Sequence, residues 1–320
     1  MTGSSARQRA AVRWLVAGSA FLILAACLAV AWIPIAAPAG AGRADTGVKG
    51  LIADHREAEA VALARTLLGR ARQDHGSGSM QAADAMDSLV YAVTAAGNRD
   101  DLPEALGLAE ESARIREASC GRECPALAET LRTYAGLLWR YEEYRAALPV
   151  AERVLAIDVR DSGPRSPRVA RSLYLLAEVN RAMGNYAAAE DLHRKAVSLW
   201  SDAPGIHILD IANSLHYLGM LRWTMGDFAG AQELIGRALV MREGALGRED
   251  ERVAADLNTL GSLAERMGDR AAAMSLYERG RSIWEKTLGK NHPFVARGLA
   301  NQGRLLSASG EYAAAKDLFR

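Results

Sequence analysis

Enzyme signatures are what this sequence of 320 residues lacks first. It has no GxxxxGKS/T phosphate loop, no HExxH pair, no GxSxG elbow and no strand running into a glycine loop. Phosphoryl transfer, zinc hydrolysis and serine-esterase chemistry therefore have no visible machinery. The six histidines are scattered. His193 falls in a packing slot shared with Ile235, Tyr277 and Phe319, and His292 sits in a linker where it can cap a turn. His216 has no acid or nucleophile at helical spacing. Catalysis is not expected, nor any cofactor. Charge of one sign is lacking too: 39 basic residues stand against 38 acidic ones, with no basic stripe of the kind nucleic acids require. Cysteine is scarce, at three residues. The Cys120/Cys124 pair has no second ligand pair, so a zinc site is not expected. A disulfide across that short loop and two unpaired thiols are both open readings. No long disordered linker is visible.

What the chain has instead is a period. Gly184, Gly226, Gly268 and Gly310 stand 42 residues apart, and their surroundings keep register. Two residues after each glycine come Tyr186, Phe228, Arg270 and Tyr312; five after it come Ala189, Ala231, Ala273 and Ala315. Eleven before it stand Leu173, Leu215, Leu257 and Leu299, and seven before it Ala177, Gly219, Gly261 and Gly303. Upstream, the register recovers Leu131, Ala135, Tyr144 and Ala147, with Glu142 in the glycine slot, then Leu89, Leu102 and Ala105. That makes about six copies from Gln81 onward, the first and last atypical. Within a copy, Val169, Leu173, Leu176, Val179 and Met183 recur at three or four residues and mark one face of a helix. The glycine ends that helix, and Asn185, Asp227 or Asp269 can cap the next. Each copy is thus a helical hairpin, and small residues at facing slots let its backbones approach closely.

This spacing of Leu, small residue, Gly, Tyr/Phe and Ala resembles the tetratricopeptide repeat. The 42-residue period, with linkers such as Glu285–Ala296, resembles its kinesin-light-chain-type branch. The resemblance implies an all-α, right-handed solenoid of about a dozen antiparallel helices that binds a protein or peptide. It also implies that one face of each first helix lines a concave groove. The branch usually carries two adjacent asparagines after the leucine; here Asn258 holds the first place in one copy and Asn301 the second in another.

One stripe of the first helices keeps no residue type from copy to copy, while the neighbouring stripe stays apolar. It reads Glu129, Arg132, Gly136, Trp139; Arg171, Tyr174, Glu178, Arg181; Asn213, His216, Met220, Trp223; Ala255, Asn258, Ser262, Glu265; and Arg297, Ala300, Arg304, Ser307. Free variation argues against a role in stacking. The expected partner-binding residues are Trp139, Arg171, Tyr174, Arg181, His216, Trp223, Asn258, Glu265, Arg297 and Arg304, aromatics and arginines being enriched in binding hot spots. The competing reading is a solvated face whose tryptophans tuck against neighbouring helices. The expected function is a protein-interaction scaffold. The alternative is a sensor region of a longer protein, since bacterial proteins similar to this one sometimes carry a caspase-like protease domain after such repeats.

Three segments are expected: 1–45 as a signal-anchor, 46–79 as one leading helix (Gly50–Gln73) and a loop, and 80–320 as repeats. Trp14–Ala39 is uncharged behind Arg7, Arg9 and Arg13. Its 20 residues before the first proline match a bilayer, which favours a single-pass anchor with the repeats extracytoplasmic. Ala37-Pro38-Ala39 offers a secreted alternative by cleavage near Ala39, and Leu24-Ala25-Ala26-Cys27 resembles a lipobox. The last copy stops partway through its second helix. Leu299, Leu305, Leu306, Leu318 and Phe319 are therefore expected to lack part of their cover, leaving room for more chain, a partner or self-association.

Overall fold

The computed structural model describes residues 43–203 and 207–318. These form fourteen α-helices, and no strand occurs among the described residues. In order they are α1 (Arg43–Ala53), α2 (Glu57–His75), α3 (Met80–Ala96), α4 (Leu102–Cys120), α5 (Pro125–Arg140), α6 (Tyr144–Ser162) and α7 (Pro167–Ala182). There follow α8 (Tyr186–Asp202), α9 (Ile208–Thr224), α10 (Phe228–Leu246), α11 (Glu251–Arg266), α12 (Arg270–Leu288), α13 (Pro293–Ala308) and α14 (Tyr312–Leu318). Each helix packs on the one before and the one after, and first helices of neighbouring copies also touch: α1 with α3, α5 with α7, α7 with α9 and α11 with α13. That is a stack of helical hairpins in series.

The turn inside each hairpin has one recurring cause. At the slot two residues before a second helix the backbone turns left-handed, with φ between 82° and 87° at Gly184, Gly226, Gly268 and Gly310. Glu142 takes the same turn at φ 63°. The following amide then closes a long hydrogen bond back onto the helix, as Asn185 N–H does to the carbonyl of Asn180 at 2.9 Å. Asp227 and Asp269 cap the next helix through Gly230 N–H and Ala272 N–H, at 2.9 and 3.0 Å. Asn185 does not; its amide instead donates to Asn180 Oδ1 at 3.2 Å.

Two expectations change. The leading segment is a helix pair, because His55 (φ 57°) sits in the turning slot and Arg56 N–H reaches back to the Leu51 carbonyl at 2.8 Å. Ala60, the fourth residue of α2, is then buried like Ala189 in α8. The start of α2 lies 45 residues before that of α4, out of step with the period because a 3₁₀ turn (Arg99–Asp101) lengthens the connector. At the other end Leu305 is buried with Ala264, Ala273 and Tyr277, while Leu299, Leu306 and Leu318 are half-buried. Phe319 lies outside the described residues.

The placement across a membrane is corrected: among the described residues no helix is long and apolar enough to cross one. Each described helix from α2 onward contains charged residues, so none offers a continuous apolar cylinder. The run Trp14–Ala39, with its cleavage site near Ala39 and its Cys27, lies outside the described residues.

Candidate functional site

The packing of α5, α7, α9, α11 and α13 decides which positions of the variable stripe remain available. Several do not. Trp139 is only 4% exposed, and its indole N–H donates to the carbonyl of Glu178 on α7 at 3.2 Å. Tyr174 is buried among the rings of Trp200, Tyr217 and His193, at centroid distances of 6.2, 6.0 and 5.5 Å. His216 is buried with Nδ1 2.7 Å from Asp256 Oδ1 on α11. Asn258 is buried too, and its side-chain carbonyl accepts from Asn301 Nδ2 on α13 at 2.9 Å. These four residues, expected at a partner surface, tie one copy to the next instead.

The free variation of the stripe therefore has a structural source: each junction carries its own polar lock. The slot fourteen residues into the second helices holds Arg116, Asp158, Trp200, Arg242 and Trp284, all buried where the first helices of successive copies meet. Asp158 accepts from Arg132 Nη2 at 2.8 Å and from Ser172 Oγ at 2.5 Å. Arg242 bonds both Asp256 and, at 2.7 Å, Asn213 Oδ1. Asp87 accepts from Ser112, Arg116 and Thr130 at 2.7, 2.8 and 2.9 Å. Burial pushes the Asp87 carboxyl up against the pull of Arg116 and these donors. Within the α7–α8 hairpin burial also opposes ionisation of Glu178. Arg181, with Nη2 at 2.8 Å, and His193, with Nε2 at 3.1 Å, outweigh it and hold the carboxyl near a pKa of about 2. Such residues change type only in complementary sets, which a column of single slots does not reveal. The alternation of Arg116, Asp158 and Arg242 in one second-helix slot was the readable signal.

What remains open on this face is a shorter set. Arg171 is exposed and Arg304 is 56% exposed by side chain, bonded to Glu265 of the neighbouring first helix. Glu265 also accepts from Tyr277 Oη at 3.0 Å, and burial raises that phenol to a pKa of about 12. Arg181 lies over the Tyr217 ring at 5.2 Å, and Arg297 over Trp284 and Phe294 at 4.9 and 4.8 Å. Trp223 and Met220 are half-buried and pack against the cluster of Ala231, Ile235, Leu260 and Leu263. Among the described tryptophans Trp223 is the one that is not buried. Away from this stripe, an open groove of about 450 Å³ lies between α8, α9 and α10. It has a floor of Val197, Leu215, Leu218 and Leu234, and no residue expected at the partner surface lines it.

Cys120 and Cys124 are joined by a disulfide across the α4–α5 loop. No group of three His, Cys, Asp or Glu side chains able to hold a metal ion occurs among the described residues.

Residues 151–202 and 210–284 match the tetratricopeptide repeat family. No curated protein gives a significant match to the chain. Among solved structures the chain is similar to BtubC (BKLC) from P. vanneervenii, with 22% identity over 68% of this chain and 87% of that one, at a TM-score of 0.58. It is similar to a putative kinesin light chain of Podosopora anserina with nearly identical TPR-like repeats, at 22% identity, 63% and 95% coverage and a TM-score of 0.51. It is also similar to the apo form of RapI, at 11% identity, 87% and 74% coverage and a TM-score of 0.62. The family match covers two stretches of the repeats, and these solved structures share the fold.

Proposed function

We propose that this chain is a protein-interaction scaffold whose partner docks on the open part of the first-helix face, around Met220 and Trp223. The observation that carries this reading is the half-buried indole of Trp223. It packs against the cluster formed by α10 and α11 and stays partly exposed, while Trp139, Tyr174, His216 and Asn258 of the same row are buried. A partly exposed aromatic already held by packing is the kind of anchor that dominates binding energy, because it costs little ordering entropy. In register with Trp223 on the adjacent first helices are Arg181 and Glu265, both held by ion pairs. A partner segment that sets an apolar side chain on Trp223 would meet pre-oriented charge of opposite sign on its two sides. Arg171, Arg297 and Arg304 extend the polar rim.

Selection from a random-peptide display library on the full chain, followed by fluorescence anisotropy of the enriched peptides, tests this. Trp223→Ala should weaken binding about thirtyfold or more, the equivalent of roughly 2 kcal/mol, with little change in the urea midpoint. Peptides that bind Trp223→Ala and Arg181→Glu as tightly as the wild type would refute the docking face.

A further inference from the structure

Four first helices of this stack open on a side chain that accepts from their first-turn amides. Ser79 Oγ takes Ala82 N–H at 3.1 Å and Ser166 Oγ takes Val169 N–H at 3.2 Å. Asp250 Oδ1 takes Arg252 N–H at 2.9 Å, and His292 Nδ1 takes Phe294 N–H at 3.2 Å. At α9, which follows the undescribed residues 204–206, His207 makes no such bond. At α5 the cap position holds Cys124, whose side chain accepts nothing from the helix. Leu127 N–H, the counterpart of Ala82 and Val169 N–H, turns to the carbonyl of Cys124 at 3.1 Å. What Cys124 does is covalent: its sulfur is bonded to that of Cys120, the last residue of α4, with the two Cα atoms 5.7 Å apart.

We propose that the Cys120–Cys124 bridge is a redox-operated substitute for the missing cap. It makes the start of α5, and the α4–α5–α6 junction behind it, depend on oxidation state. The loop it closes is docked on α6 from both sides. The Arg122 carbonyl accepts from Arg153 Nη2 at 2.8 Å, and Glu123 pairs with Arg160. One turn further on, Leu127 and Ala128 enter the core with Ala113, Val154 and Ile157, and Thr130 donates to the buried Asp87. Fraying that begins at residue 124 therefore reaches buried contacts at once. Cys120 is the more exposed of the two cysteines, which makes its sulfur the one assigned as the site of attack. A thiolate of an external dithiol bonds to Cys120 Sγ and expels Cys124 as thiolate. The second thiol of that reductant then displaces Cys120. Two protein thiols and one disulfide in the reductant result, with no other electron donor needed.

Amide hydrogen exchange on the full chain, oxidised and after treatment with dithiothreitol, tests the device. Reduction should speed exchange at Ala126, Leu127 and Ala128 about three- to tenfold and leave α11–α13 unchanged. The double variant Cys120→Ser with Cys124→Ser places at α5 the hydroxyl cap used at Ser79 and Ser166. It should match the oxidised wild type and ignore dithiothreitol. A bridge that resists the dithiol in the folded protein overturns the proposal. So does exchange that is unchanged on reduction, or a double variant whose amides exchange as fast as those of the reduced protein.

Discussion

Removing one carboxylate from a polar lock should be among the costliest changes available in this chain, and Asp158 is the sharpest case. Its side chain is fully buried, and it accepts from Ser172 Oγ at 2.5 Å, from Arg132 Nη2 at 2.8 Å, and faces Arg168 Nη2 at 3.4 Å. Burial drives the Arg132 guanidinium toward neutrality, and Glu129 and Asp158 oppose that drive. At an effective dielectric of about 20, a charge pair at this separation attracts by roughly 6 kcal/mol, and part of that offsets the desolvation of both ions. Asp158→Ala removes the attraction and leaves the desolvation of Arg132 in place. Glu129, 3.4 Å from Arg132 Nε, retains a weaker hold. The expected loss is about 3–5 kcal/mol. Urea unfolding followed by circular dichroism and by tryptophan fluorescence measures it; Trp139, in the last turn of α5 and bonded to the Glu178 carbonyl of α7, reports on the same junction. The decisive comparison is the double variant Arg132→Met with Asp158→Leu. If the penalty comes from an orphaned charge, replacing both ions by apolar groups should recover most of it. A single variant that loses less than about 1 kcal/mol, or a double variant as unstable as the single, refutes the assignment of this lock.

Acid should act at Glu178. Its folded pKa of about 2 lies below the ordinary 4.5, so the stability it contributes is complete above about pH 4.5 and is lost as pH falls toward 2. Glu178→Gln should cost about 3 kcal/mol at neutral pH and flatten the acid limb of a stability–pH profile; an unchanged limb counts against the pairing. At the turning slot, Glu142→Gly should raise stability by about 0.5–1 kcal/mol by relieving the left-handed φ of 63°, whereas Gly184→Ala should lower it by about 1–2 kcal/mol, both read from urea midpoints. Gly261→Ala should cost roughly 1–3 kcal/mol, since the new methyl would lie 2.7 Å from Tyr277 Cε1; removing the ring with Tyr277→Ala should relieve the clash but not the lost bond to Glu265.

Much of the architecture was legible because it is local. A left-handed residue ends the first helix at Gly184, Gly226, Gly268 and Gly310, aspartate opens the next at Asp227 and Asp269, and small residues stand where backbones meet. These features recur every 42 residues and reach the alphabet directly. The leading pair was missed because its turning slot holds His55 instead of glycine and its spacing to the next copy is 45. Asn185 illustrates the same limit: a side chain suited to capping α8 bonds to Asn180 instead.

The candidate face was legible only as a stripe of changing residues. Variation can arise from contact with a partner or from complementary pairs that change together. Single positions do not distinguish the two, because a pair such as Arg132 and Asp158 is joined across 26 residues and two helices. The sequence by itself determined the hairpins, their period and their stacking order, since these follow from backbone conformation and apolar spacing within one copy. Only the tertiary structure decided that Trp139, Tyr174, His216 and Asn258 are consumed between copies while Trp223 stays half open. That outcome depends on which side chains from a second helix and from the next first helix arrive at the same point in space. Burial is a property of that meeting, and no one segment encodes it alone.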